Sequence, residues 1–204
     1  MIILDDFEQG SPEWFKAREG IPTASRMSDI ITAKTGKMSA TSRKYMFELI
    51  ADRMGAGDPQ REPTEWMTRG IELEPEARQM FEFEGGRKVR QVGICLTDDR
   101  QASCSPDGLV ADGGLEIKCP KGSTHVAYLL NNKLPDTYKQ QVHASMAITG
   151  LDQWWFMSYH PGADPLYVLV KRDEYTDKVS QVLTEFIQSL NTNAAKLGCM
   201  EMAA

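Results

Sequence analysis

An α/β (α+β) fold, with a central mixed sheet of about four or five strands flanked by helices, is the architecture this 204-residue sequence predicts. Three observations carry that prediction. Apolar stripes of helical period fill the first third and the far end of the chain, short β-prone runs lie between residues 89 and 171, and helical patterns interrupt those runs. The length suits a single domain with a sizeable core, read as a helical part over about 1–60 and a core over about 64–204.

Taken in order, Ser11-Pro12-Glu13-Trp14 opens a short helix with Ser11 as N-cap and Pro12 in the first turn, and Gly20 ends it. A second helix is expected from about residue 25 and a third over 41–54, where Tyr45, Met46, Leu49, Ile50 and Met54 form one inward stripe. Residues 55–63, rich in Gly, Pro and charge, form a connecting loop. The stretch 64–84 reads as mostly helical, with Ile71, Leu73, Ala77, Met80 and Phe81 facing inward and Pro75 forcing a kink or a fresh start. A strand over 89–97 and a hairpin follow, then helices near 123–131 and 136–149. Strands over 153–159 and 166–171 and a long amphipathic helix over about 173–197 complete the chain.

The hairpin spans 103–120, with strands 109–111 and 115–119 joined by Asp112-Gly113-Gly114, residues that tolerate positive φ. Along its second strand side chains alternate, so Leu115, Ile117 and Cys119 point one way while Glu116 and Lys118 point the other. Asp107 can join that charged face from across the hairpin. Two carboxylates and an amine in one apolar stretch suit metal-assisted hydrolysis of phosphodiesters; a solvated ion pair on an outer sheet face is the plain alternative. The apolar flanks favour the former, because they imply a mostly buried central strand where unpaired charge is costly and a bound cation accounts for it. Pro106 and Gly108 bend the backbone around Asp107, as they would in a simple turn.

A net charge of −6 argues against broad coating of nucleic acid, which needs many cationic contacts to phosphate, though a local basic channel can coexist with an acidic exterior. Arg43-Lys44, Arg87-Lys88-Val89-Arg90 and Lys118 with Lys121 are the candidate basic stretches. No apolar run approaches the roughly 20 residues of a membrane span, and the N-terminus lacks a signal peptide's basic start and apolar core, so the expectation is a cytoplasmic protein with no membrane partner. Cys95, Cys104, Cys119 and Cys199 contain no Cys-x-x-Cys pair and read as reduced thiols rather than disulfides or zinc ligands.

Other segments belong with the hairpin. Glu74 on a helix, then Asp107, then Glu116-Ile117-Lys118 on the next strand, then a helix, resembles the restriction-endonuclease-like core of the PD-(D/E)XK nuclease superfamily. Four segments narrow the likeness: Trp14-Phe15-Lys16-Ala17-Arg18-Glu19-Gly20-Ile21-Pro22-Thr23-Ala24-Ser25, Cys104-Ser105-Pro106-Asp107-Gly108-Leu109, Leu115-Glu116-Ile117-Lys118-Cys119-Pro120, and Tyr138 with Gln141. Together they are similar to the phage lambda exonuclease family of viral recombination nucleases, over about residues 10–187. The resemblance implies an enzyme that digests one strand of duplex DNA from its 5′ end. The 3′ overhang it leaves is meant for a single-strand annealing partner. The family likeness also implies a homotrimeric ring in a bacterial host cell.

The mechanism that follows uses two Mg²⁺ ions about 4 Å apart, with Mn²⁺ as a substitute. Asp107 and Glu116, with the backbone carbonyl of Ile117, hold metal; Lys118 orients or helps deprotonate the attacking water; Glu74 holds water or metal from its helix. By the same likeness Arg18 grips the 5′ phosphate with Thr23, Ser25 and Ser105 beside it, and Met67 stands where a leucine wedges apart the terminal base pair. Tyr138 and Gln141 read either as outer contacts to the site or DNA backbone, or as ordinary helix surface. Ser25 equally suits an N-cap, Arg18 a surface position and Met67 a core position. The chain departs from the family pattern at His143, where a glutamine is usual, and at Pro75 directly after Glu74. An endonuclease of the same superfamily and a non-catalytic DNA-binding module are the alternative functions.

Overall fold

Residues 1–58 and 64–199 are described by the computed structural model. Most of the expected 55–63 loop therefore lies outside the described residues. The chain begins with a short strand that its hydropathy pattern did not announce, β1 (Ile2–Leu4). Helix α1 (Pro12–Ala17) follows, capped by the Ser11 side chain, which accepts from the Trp14 N–H. A 3-10 turn (Ala24–Arg26) leads into α2 (Met27–Ile30), and α3 (Ser42–Arg53) comes next. Thr23, not Ser25, occupies the cap position of the 3-10 turn, so the N-cap reading of Ser25 falls.

Helix α4 (Glu65–Gly85) is capped by Thr64 and runs unbroken through Pro75. After it come β2 (Ile94–Leu96), β3 (Ser103–Cys104), β4 (Gly108–Val110), β5 (Gly113–Lys118), α5 (Gly122–Asn131), α6 (Lys139–Thr149), β6 (Gln153–Ser158), β7 (Leu166–Lys171) and α7 (Glu174–Lys196). The expected 89–97 strand is reduced to three residues plus an isolated bridge from Arg90 to Leu109.

Two sheets result. β1, β2 and β3 form a small antiparallel sheet, while β4, β5, β6 and β7 form the central mixed one, with β5 and β6 parallel and the outer pairs antiparallel. Parallel neighbours need a crossover. Here α5 and α6 supply it, which carries the chain straight from the end of β5 over the face it has just built. Cys95 and Cys104 are buried partners across β2 and β3, and all four cysteines are free thiols.

The hairpin differs from its sequence reading at the turn. Gly113 and Gly114 lie inside β5, paired with Val110 and Leu109, so Ala111 and Asp112 make the turn. Neither glycine has a positive φ. Their role is close approach: a Cβ on Gly114 would sit 2.3 Å from the Trp154 ring, and one on Gly113 would sit 2.4 Å from the Gln153 carbonyl oxygen.

Helix α6 is the centre of the main core. Val142, Ala144, Met146 and Ile148 pack there with residues of α2, α3 and α7 and with Trp154 of β6. On the other side of the sheet Ala77 and Phe81 of α4 cover Leu115, Ile117 and Met157. β5 is thus covered on both faces, and a fully buried side chain such as Phe156 contributes roughly 2–3 kcal/mol. Two expected inward residues are instead solvent-facing: Met54, at the end of α3, and Ile71, in the N-terminal half of α4. Among the described residues, both stripes run past the point where their helix is covered. No helix among the described residues is long and apolar enough to cross a membrane.

Candidate active site

The alternation of β5 does place Glu116 and Lys118 on one face, 2.5 Å apart between Oε1 and Nζ. Glu116 is only 2 % exposed. A carboxylate so deep needs partners, and it has a second one: Gln141 Nε2 of α6 donates to the same oxygen at 2.6 Å. Tyr138, one turn earlier, lies with its ring 5.4 Å from the Lys118 ammonium and stacks on Phe156. The crossover helix therefore walls the charged face, and both Tyr138 and Gln141 contact the site rather than open surface.

Asp107 reaches the same place from just before β4. Its N–H donates to the Leu115 carbonyl, and its Oδ2 accepts from the Ile117 N–H at 2.5 Å, so the carboxylate is fixed against β5 by the backbone between Glu116 and Lys118. Gln9 holds the turn from behind, donating to the carbonyls of Val92 and Pro106. Glu74 comes in from α4 and is ion-paired to Arg78 one turn on. Arg78, which the sequence did not single out, also donates Nε to the Asp107 carbonyl at 3.1 Å and lies against the Gln91 side-chain amide. One guanidinium thus ties the helix carboxylate to the backbone that carries Asp107.

The electrostatics are those of crowded negative charge. Burial, reinforced by Glu116, lifts the Asp107 carboxyl well above the usual carboxylate range, with Lys118 in opposition. Burial also raises Glu74, against the pull of Arg78 and Lys118. For Lys118, burial disfavours the ammonium, but Glu116 and Asp107 outweigh it and hold the proton more firmly than on an ordinary lysine. The Tyr138 hydroxyl is pushed up to about 12, chiefly by burial.

Among the described residues no three His, Cys, Asp or Glu side chains are grouped so as to hold a metal ion as they stand. Each carboxylate is occupied by a protein donor. The donor chemistry nonetheless fits a hard divalent cation, which needs only one or two protein carboxylates when substrate phosphate and water complete its shell. Asp107 and Glu116, both in poorly solvated positions, are the two carboxylates whose chemistry suits that role. Glu74, on the far side of Arg78, is the third carboxylate facing them.

A second cluster adjoins the first. The Arg18 guanidinium lies 4.1 Å from the centroid of the Trp14 ring and donates to Ser25 Oγ at 3.4 Å, while Thr23 and Ser25 hydroxyls are 3.2 Å apart. The Trp14 indole N–H donates to Ser105 Oγ at 2.9 Å. Thr23 bridges to Ser103, which sets this segment alongside β3. Arg18 is half-buried, so it is not a plain surface residue, and burial lowers its pKa. Ser105-Pro106-Asp107 joins the two clusters through a single intervening residue. Trp14, which spans Arg18 and Ser105, was visible in sequence only as part of a motif.

Two residues fall outside these clusters. Met67 is 58 % exposed on the first turn of α4, which removes the core reading. His143 is buried, with Nδ1 2.7 Å from Thr176 Oγ1, and it fastens α6 to the start of α7, where Asp173 and Thr176 form a capping box. Its work is structural.

A model of the YqaJ-like viral recombinase domain matches residues 13–152, a stretch that holds both clusters. The chain belongs to this family. The YqaJ-like, lambda exonuclease-like assignment agrees with the likeness carried by the motifs. An alkaline exonuclease, LHK-Exo from Laribacter hongkongensis, is 36 % identical over 92 % of this chain and all of its own, with a TM-score of 0.72. The same enzyme in complex with dAMP superposes with a TM-score of 0.73 at the same identity and coverage. A phage-related exonuclease from Haemophilus somnus 129PT, 15 % identical over 87 % of this chain and 96 % of its own, has a TM-score of 0.64 and shares the fold. The comparison with curated proteins gave no match.

Proposed function

We propose that this YqaJ-family protein is a Mg²⁺-dependent exonuclease that digests one strand of duplex DNA from its 5′ end. The 3′ overhangs it leaves would pass to a single-strand annealing protein, in the cytoplasm of a bacterial host, from a homotrimeric ring. The observation that carries the reading is the joining of two unlike clusters by Ser105-Pro106-Asp107. One is a carboxylate and amine set, the other an arginine and hydroxyl set suited to a terminal phosphate. A 36 % identical exonuclease solved with dAMP, a nucleoside monophosphate, supports it further.

Asp107 and Glu116, with the Ile117 carbonyl, would hold the Mg²⁺ ions, and Mn²⁺ would serve in their place. When bound, the ions supply Lewis-acid activation of water and neutralise charge at the scissile phosphate. Lys118, held as an ammonium, orients the attacking water and donates to the phosphate. Gln141 keeps Glu116 aimed, Tyr138 shields Lys118 from solvent, and Glu74 positions water from α4. Arg18 grips the 5′ phosphate with Thr23, Ser25 and Ser105, and Met67 wedges at the terminal base pair.

Linear duplex DNA labelled separately at each end, with Mg²⁺, tests this. Loss of the 5′ label first is expected, with a closed circular duplex left intact; cutting of the circle would turn the assignment to an endonuclease. Asp107→Ala, Glu116→Ala and Lys118→Ala are each expected to abolish digestion while melting cooperatively. Normal digestion by any of the three would remove that residue from the chemistry.

A further inference from the structure

The first turns of α4 carry an uncovered apolar ledge, with Trp66 48 % and Ile71 65 % exposed on either side of Met67. Helical spacing sets Met67, Ile71 and Glu74 along one side of α4, so the ledge leads toward the carboxylates. Trp66 offers something its neighbours lack. The Lys121 ammonium is 4.1 Å from its ring centroid and the Arg69 guanidinium 5.9 Å. Arg69 in turn donates to the carbonyls of Cys119 and Pro120, the two residues that follow Lys118, at 3.3 and 3.4 Å.

A half-exposed indole with two cations, placed where the active-site strand ends, matches an unpaired nucleotide. The ring presents a π face that any base can stack on, and the cations meet the neighbouring phosphates. A hydrophobic protein partner would be served poorly, since cations at the middle of such a contact would lose their water.

We propose that Trp66 is a stacking platform for an unpaired base of the strand separated at the active site, with Lys121 and Arg69 holding the phosphates beside it. The location of this platform rests on the nuclease reading, but its binding is measurable without cleavage. Fluorescence anisotropy of a labelled ten-nucleotide oligo-dT is followed with the full chain in EDTA. Trp66→Ala is expected to weaken binding by roughly 5- to 100-fold, and Trp66→Phe to retain most of it. A blunt duplex should lose much less. Lys121→Gln is expected to lower the slope of log affinity against log salt by about 0.7.

Equal oligo-dT affinity for the parent and Trp66→Ala overturns the platform. So does a fall in sedimentation mass for Trp66→Ala, which would assign the ledge to contact between copies. The two readings fail separately: a parent that binds oligo-dT through Trp66 yet digests no DNA under Mg²⁺ keeps the platform and loses the nuclease.

Discussion

Asp107→Asn tests the electrostatic load on the candidate site without any turnover. In EDTA the folded chain keeps the Asp107 carboxyl well above the ordinary range, chiefly through burial and the Glu116 charge, whereas the unfolded chain returns it to about 3.9. A folded group that holds its proton more tightly than the unfolded one contributes stability that is complete below about pH 4. That contribution is lost as pH rises to the folded value. Asparagine has the same shape, keeps an oxygen for the Ile117 N–H, and does not titrate. The melting temperature of Asp107→Asn minus that of the parent should therefore be flat below pH 4, climb above it, and level off past the folded value.

Each unit of displacement is worth about 1.4 kcal/mol, or about 3–5 °C for a chain of this size. New amide hydrogens without a partner add a cost of about 1–3 kcal/mol that does not vary with pH, so the climb rather than the offset is the readout. Thermal melts in EDTA from pH 4 to 9 measure it. A difference with the same value across that range would refute the reasoning.

Two further substitutions probe neighbouring parts of the site. Arg18→Ala should cost about 10- to 100-fold of the preference for 5′-phosphorylated over 5′-hydroxyl duplex ends, the worth of a charge-assisted phosphate contact; competition between the two substrates reads it, and an undiminished preference gives Arg18 another job. Arg78→Gln should lower unfolding free energy by about 1–3 kcal/mol by leaving the part-buried Glu74 carboxylate without its cation. Arg78→Lys should recover the charge pair but not the simultaneous Asp107 carbonyl bond. Urea unfolding would then look near normal while kcat stayed low, and full recovery of both would show that only the charge matters.

The charged face of β5 was legible because a period of two admits one arrangement, and the burial of Glu116 followed from its apolar flanks. The hairpin turn was misread for a definite reason. Glycine serves both positive φ and close backbone approach, and only the Trp154 ring, forty residues away, says which applies at Gly114. Short β1 carried too few residues to show any period. Arg78 was hidden among ordinary helical pairs, since a glutamate followed four residues on by an arginine usually marks a solvated helix face. Its signal, weak by itself, was that Glu74 had already been singled out. The exposure of Met67 and Ile71 depends on where α4 outruns its neighbours, which no periodicity encodes.

Helix α6 touches the active site through Gln141 and the start of α7 through His143, two residues apart. This has a consequence for the order in which the chain is made. Asp107, Glu116 and Lys118 leave the ribosome some eighty residues before the far end of α7, the last described element, and α6 is buried against that helix. Until α7 docks, Gln141 has no firm seat and Glu116 lacks its amide partner. A nascent chain would thus carry its chemical groups early but acquire their alignment last.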